Sequence, residues 1–85
     1  MTRSIQLRYL ASIRESLGTG SESLQTTATT VGELRDELIA RGGCYAEALD
    51  RGRAVRVSLN QTMSDESAAL PDRAEVAFFP PVTGG

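Results

Sequence analysis

Thr30-Val31-Gly32-Glu33-Leu34-Arg35-Asp36-Glu37-Leu38-Ile39-Ala40-Arg41-Gly42-Gly43 is the stretch on which the reading of the fold turns. It opens with Thr followed three residues later by Glu, the spacing in which each side chain satisfies a backbone donor of the other. Thr30 is therefore expected to cap a helix. Val31, Leu34 and Leu38 then fall on one face, Ile39 widens it, and Gly42-Gly43 supplies permissive backbone where the pattern stops. The spacing predicts a helix over 31–41 with a single apolar stripe, which must be covered by another layer.

The covering layer lies on both sides of this helix in sequence. Upstream, Leu24 to Thr29 is Thr-rich and weakly alternating, as expected of a strand. Before it, Leu10, Ile13 and Leu17 recur at helical spacing up to Gly18 and Gly20, which predicts a helix of about two turns. The chain opens on Ile5, Leu7 and Tyr9 alternating with Ser4, Gln6 and Arg8, the period that buries one face of a strand. Downstream, Tyr45 to Leu49 reads as another short helix, with Ala46 and Leu49 inward and Gly52 stopping it. Val55, Val57 and Leu59 restore the period of two, and Asn60-Gln61 ends that strand. Pro71-Asp72-Arg73 marks a turn before a last strand, Glu75 to Phe79. These elements define an α+β fold: a mixed sheet packed on one main helix, with short extra helices, its first and last strands pairing in the middle.

Composition restricts what such a domain does. The chain has 85 residues, enough for one core and no second. Nine basic residues, all Arg, against eleven acidic ones leave a net charge of -2 and no basic run, so nucleic acid is not an expected partner. The apolar runs are too short for a bilayer span and the N-terminus lacks a secretory pattern, so the expected location is the cytoplasm, with no membrane partner. There is no His, and Cys44 is the only Cys. A zinc site, a Ser-His-Asp triad and a Cys-His pair all need residues that are missing, so no metal site is expected and the chain is not expected to catalyse alone. Cys44 itself reads as an incidental residue at a helix start.

The chemistry is expected at the other end. Pro80-Pro81-Val82-Thr83-Gly84-Gly85 cannot extend the last strand well, because each proline lacks a ladder donor and fixes its own φ. Residues 1–79 are expected to form the domain and residues 80–85 an extended reactive tail. Two side-chain-free residues let the backbone pass through a narrow channel and present a carboxylate to another protein. A Gly-Gly pair alone is weak evidence, since two glycines in a row occur by chance at about 0.5%. Its position after a Pro-Pro arm and a strand makes it stronger. A carboxylate is a poor acyl donor, so the expected chemistry uses ATP on a partner enzyme to form an acyl-adenylate; no cofactor is expected on the chain.

The stretch Glu75-Val76-Ala77-Phe78-Phe79-Pro80-Pro81-Val82-Thr83-Gly84-Gly85 resembles the C-terminal signature of the small, sulfur-carrier subunits of molybdopterin synthase, the MoaD type of ubiquitin-like β-grasp protein. The likeness continues through Val57-Ser58-Leu59-Asn60-Gln61 and through Tyr9 to Gly18, and so spans essentially the whole chain. It implies a cycle in which an adenylating, E1-like activating enzyme and a sulfurtransferase convert Gly85 into a thiocarboxylate. The large synthase subunit then receives the tail, and the sulfur passes to cyclic pyranopterin monophosphate to build the molybdopterin dithiolene. Gly85 would carry the reacting carbon and Gly84 would allow close approach. The implied assembly is a heterotetramer of two small and two large subunits. The Asp72-Arg73-Ala74 turn departs from the family, which tends to place a glycine-containing acidic turn there.

Partner docking is expected around the tail. Alternation places Leu10 and Phe79 on the face opposite the core, and Met63 is a third apolar residue without a core role. With Pro80, Pro81, Val82 and Thr83 these form the expected partner-binding surface. Arg14 reads as part of a solvated helix face. Two other uses of the same tail stay open: a ubiquitin-like modifier joined to lysines of other proteins, and a thiamine-pathway sulfur carrier. A plain interaction domain, whose tail is never activated, is the remaining reading.

Overall fold

The computed structural model describes residues 2–81. In chain order the elements are β1 (Arg3–Tyr9), α1 (Ala11–Leu17), β2 (Ser21–Thr26), α2 (Val31–Ile39), α3 (Gly43–Leu49), β3 (Arg56–Leu59), β4 (Thr62–Ser64) and β5 (Glu75–Phe79). The strands form one mixed sheet in the order β2-β1-β5-β3-β4. β1 and β5 pair in parallel at its centre, and the other neighbours are antiparallel. This is the β-grasp arrangement, with the first and last strands side by side under α2.

Ile5, Leu7 and Tyr9 of β1 and Val76 and Phe78 of β5 point to one face and are buried there against Val31, Leu34 and Leu38 of α2. Complete burial of a leucine such as Leu34 stabilises the fold by roughly 1.5–3 kcal/mol. Helix α2 lies close over the 65–68 loop because Gly32 permits it. The Gly32 N–H donates to the Glu66 carbonyl at 2.9 Å, and a Cβ at Gly32 would stand 3.1 Å from that same oxygen. Arg35, only 4% exposed, is satisfied on all sides by Glu66 and by the carbonyls of Leu49, Asp50 and Arg53.

Several details depart from the sequence reading. The Thr30 hydroxyl does accept the Glu33 N–H, at 3.2 Å. The Glu33 carboxylate, however, reaches past Thr30 to the N–H and hydroxyl of Thr29. Helix α2 ends at Ile39, two residues early, because Arg41 and Gly42 donate to the carbonyls three residues back and tighten the last turn. In α3 the buried pair is Ala48 and Leu49, with Ala46 only half-buried. That helix begins at Gly43, with Gly42 and Gly43 both at positive φ.

Strand β2 starts three residues before the expected Leu24 and stops at Thr26, whose hydroxyl accepts the Ala28 N–H and turns the chain. Its inward set is Glu22, Leu24 and Thr26, opposite Leu7, Ile5 and Arg3. The carboxylate among them hides the alternation. β4 was not expected at all; it has three residues and a polar composition. Asn60 and Gln61 join it to β3 as a two-residue turn with φ of 51° and 69°, the left-handed pair of a type I′ hairpin. At the Asp72-Arg73 turn, Arg73 sits at φ 63°, a conformation glycine adopts without strain. The turn is held on β1, since Asp72 Oδ1 accepts the Ser4 N–H and the Arg73 N–H donates to the Ser4 carbonyl, both at 2.8 Å.

Candidate functional site

The uncovered side of the sheet is the candidate docking surface, and strand register assembles it. Tyr9 pairs with Phe78 on the core face, so the next residues, Leu10 and Phe79, fall beside each other on the opposite face. Leu10 keeps extended backbone with φ -123° and ψ 155°, and its N–H donates to the Phe78 carbonyl at 3.1 Å. It is therefore the last residue of the sheet surface and no part of the α1 apolar stripe. The adjoining row across the sheet runs Arg8, Ala77, Ser58, Met63, each paired with the next. Leu10 is 43% exposed and Met63 59%, the two large apolar residues most exposed among those described; Phe79 is half-buried.

The sequence placed Leu10, Phe79 and Met63 at a docking surface, and the structure sets all three on one face. It adds what spacing did not reveal. Arg56 pairs with Phe79, and Arg8 is tied to Glu75 at 3.1 Å, so charge borders the apolar centre. The signal for Arg56 was its place in the 55–59 alternation, where it is the outward residue between Val55 and Val57.

The β5 strand runs from this face into Pro80 and Pro81, both half-buried and outside any strand. They border a groove of about 340 Å³ together with Ser12, Ile13, Ala48, Arg53, Ala54 and Val55. Val82, Thr83, Gly84 and Gly85 lie outside the described residues. Asn60 secures the start of β5: its N–H donates to the Glu75 carbonyl at 2.8 Å and its Oδ1 accepts the Glu75 N–H at 2.9 Å. Asn60 thus has a structural task, fixing the start of the strand that leads into Pro80.

Behind the sheet, at the inner edge of β2, Glu22 accepts hydrogen bonds from the hydroxyls of Tyr9 and Tyr45 and from Arg41. Burial alone would raise the Glu22 pKa, but the bonds from Tyr45, Arg41 and Tyr9 hold it below the ordinary glutamate value. Burial, reinforced by Glu22, pushes the Tyr9 hydroxyl well above the usual tyrosine range, so Tyr9 stays a neutral donor. The Arg41 guanidinium lies 4.9 Å over the Tyr45 ring. This cluster closes the edge of the core. Cys44 is exposed in the first turn of α3. Among the described residues, no three His, Cys, Asp or Glu are grouped to hold a metal ion, and no helix is long and apolar enough to cross a membrane.

A five-stranded mixed sheet with a parallel central pair, packed on one main helix, defines a ubiquitin-like β-grasp protein. The ThiS family pattern matches residues 7–85, and the chain belongs to that family. It is similar to the molybdopterin synthase sulfur carrier subunit of Escherichia coli, with 38% identity over 81 residues, 95% of this chain and 99% of that one. Its fold is similar to the Haloferax volcanii HVO 2177 protein, with TM-score 0.79 and 28% identity over 99% of this chain and 88% of that one. A further similar structure is the protein-protein complex of subunits 1 and 2 of molybdopterin-converting factor from Helicobacter pylori. There the match has TM-score 0.62 and 25% identity over 96% of this chain and 99% of that one.

Proposed function

We propose that this chain is the sulfur carrier of molybdopterin synthesis, a cytoplasmic protein that docks on the large synthase subunit by its open sheet face and presents Gly85. The observation that carries the reading is the continuity of that face with the tail. Phe79 is both a member of the apolar surface and the last residue of the strand that leads into Pro80. A protein that holds residues 80–85 must lie against Phe79, and so against Leu10. The similarity to a molybdopterin synthase sulfur carrier subunit and to the two-subunit complex supports the choice of partner.

The chemistry follows from a carboxylate with no leaving group. In an E1-like activating enzyme, a carboxylate oxygen of Gly85 attacks the α-phosphorus of ATP and expels pyrophosphate. A persulfide carried by a sulfurtransferase then displaces AMP to give an acyl disulfide, and a thiol of the partner system reduces its S–S bond, being oxidised to a disulfide and leaving the thiocarboxylate. Within the large subunit that sulfur bonds to a side-chain carbon of cyclic pyranopterin monophosphate as that carbon's bond to oxygen breaks and the oxygen leaves. Water next attacks the acyl carbon and the acyl C–S bond breaks, so sulfur stays on the pterin and the Gly85 carboxylate returns. Two charged carriers complete one dithiolene, in keeping with a heterotetramer of two small and two large subunits. The chain contributes the acyl carbon and the docking face, Gly84 gives close backbone approach, and the partners supply catalysis.

Intact-protein mass spectrometry after incubation with ATP, the activating enzyme and a sulfur donor tests this. The expected result is a mass gain equal to exchange of one oxygen for one sulfur, absent when Gly85 is deleted. No gain with an enzyme system that charges a known carrier would refute the sulfur-carrier reading. Lysine conjugates of the chain in cells, without such a gain, would establish a modifier instead.

A further inference from the structure

Helix α3 ends at Leu49 and β3 begins at Arg56, leaving a connection whose described backbone–backbone bonding is one turn, from the Arg53 N–H to the Asp50 carbonyl at 2.8 Å. One buried guanidinium supplies the rest. Arg35 Nε donates to the Leu49 carbonyl at 2.8 Å. Its Nη2 donates to the carbonyls of Asp50 and Arg53 at 2.7 and 3.2 Å, and its Nη1 to Glu66 at 2.6 Å. The planar fork thus fixes three carbonyls along the connection at once, which an ammonium on a flexible stem cannot reproduce. The connection ends in Arg53, Ala54 and Val55, which border the groove beside Pro80 and Pro81.

The geometry points to Arg35 as a positioning residue for the tail: by clamping the carbonyls of Leu49, Asp50 and Arg53 it holds the 53–55 wall against which the root of the tail is aimed. Arg35 touches no reacting atom. Its effect passes through the wall to Pro80 and Pro81, whose fixed φ angles carry the direction set at the root outward along the backbone. On the sulfur-carrier reading the reacting carbon lies beyond this root, so the direction of the root bears on how it is offered to a partner. Misplacement of a reacting group by about 1 Å costs up to about a hundredfold in rate.

The kinetic half of the test rests on the sulfur-carrier reading, and the structural half does not. Arg35→Lys is compared with Ile5→Val, a core change remote from the groove, at a temperature where circular dichroism shows both folded. NMR reads nuclear Overhauser contacts from the Pro80 and Pro81 rings to Ile13, Ala54 and Val55. These are expected to weaken in Arg35→Lys while contacts between Ile5 and Leu24 persist, and Ile5→Val is expected to keep the groove contacts. In single-turnover sulfur loading, the rate at saturating activating enzyme is expected to fall about tenfold or more in Arg35→Lys. The enzyme concentration giving half that rate should stay within about threefold of wild type, since the docking face is untouched.

Groove contacts retained in folded Arg35→Lys, or a saturated rate equal to that of Ile5→Val, would overturn the assignment. If Arg35→Lys does not fold, Ala54→Trp replaces it. That exposed residue fills the groove from outside, and a wild-type saturated rate there would also overturn the assignment. A wild-type chain that is never loaded would count against the sulfur-carrier reading alone, and the groove contacts would still decide the role of Arg35.

Discussion

The two faces of the sheet follow opposite rules. On the α2 side the large apolar residues are covered, and the inward charges are met where they lie: buried Arg35 by Glu66 and three carbonyls, half-buried Glu22 by Arg41 and two hydroxyls. On the other side Leu10, partly exposed, stands beside Phe79, bordered by Arg8 and Arg56, and the more exposed Met63 lies on the same face two strands away on β4. Exposed single apolar residues are ordinary on protein surfaces, but Leu10 and Phe79 are set side by side by register where the chain leaves the sheet at Pro80, with Met63 a third on the same face. The first face is built for stability, and the second leaves apolar area uncovered, which is what the proposed docking would use. Substitutions on the two should therefore separate unfolding from binding.

The largest effect belongs to the covered face. Leu38→Ala is expected to cost about 2–5 kcal/mol in urea unfolding, because it removes a fully buried side chain and leaves a cavity under α2. A cost below about 1 kcal/mol would mean that α2 is not the principal cover of the sheet. Next comes the open face. Leu10→Asp and Met63→Asp are each expected to weaken binding to the large synthase subunit by about tenfold or more in calorimetric titration. Met63→Asp should leave stability within about 0.5 kcal/mol. Leu10 occupies the N-cap position of α1 without a capping side chain, so Leu10→Asp should hold stability level or raise it by up to about 1 kcal/mol. Unchanged affinity in both variants would break the contrast between the faces.

The same contrast explains what was legible in the sequence. Strands β1 and β5 and helix α2 announce themselves because burial of one face imposes a period, and their positions match the reading closely. The proposed docking residues were picked out by the converse argument, as apolar residues left over once the core was assigned, and the structure puts Leu10, Phe79 and Met63 on one face of the sheet. Strand β2 was misplaced because the inward position at Glu22 holds a carboxylate, which makes sense only once Tyr9, Tyr45 and Arg41 are seen around it. Strand β4 follows from its turn, whose left-handed backbone is carried by Asn60 and Gln61 without a glycine to signal it. Arg35 gave no signal in the sequence, because nothing in helical spacing shows the carbonyls of Leu49, Asp50 and Arg53 arriving from a distant segment.

Glu22 offers a pH test of the covered face. Its folded pKa is held below the ordinary glutamate value of 4.5. A depressed carboxylate contributes stability that is fully present above the unfolded value and is lost as the pH falls through the folded one. Thermal unfolding of wild type and Glu22→Gln should therefore differ most at neutral pH, with wild type the more stable, and converge as the pH drops below about 4.5. A difference that stays constant down through the acid range would show that Glu22 acts by shape and hydrogen bonding alone and not by its charge.

The smallest expected change lies on the hairpin that carries Met63, at the border of the two regimes. β4 is a three-residue edge strand held only by β3, so Met63 is presented as firmly as the Asn60-Gln61 turn allows. Gln61 sits at φ 69°, where a side chain crowds the backbone and glycine does not. Asn-Gly is the favoured pair for this turn. Gln61→Gly should therefore raise stability by roughly 0.5–1 kcal/mol in urea unfolding, relief of left-handed strain outweighing the entropy gained by the unfolded chain. Asn60 keeps both bonds to Glu75, so the variant leaves β5 and the tail root as they are. If affinity for the large subunit also rises, the hairpin was limiting how well Met63 is presented. If stability rises and affinity does not, Met63 was already held in place, and the open face is as preorganised for its partner as the covered face is for α2.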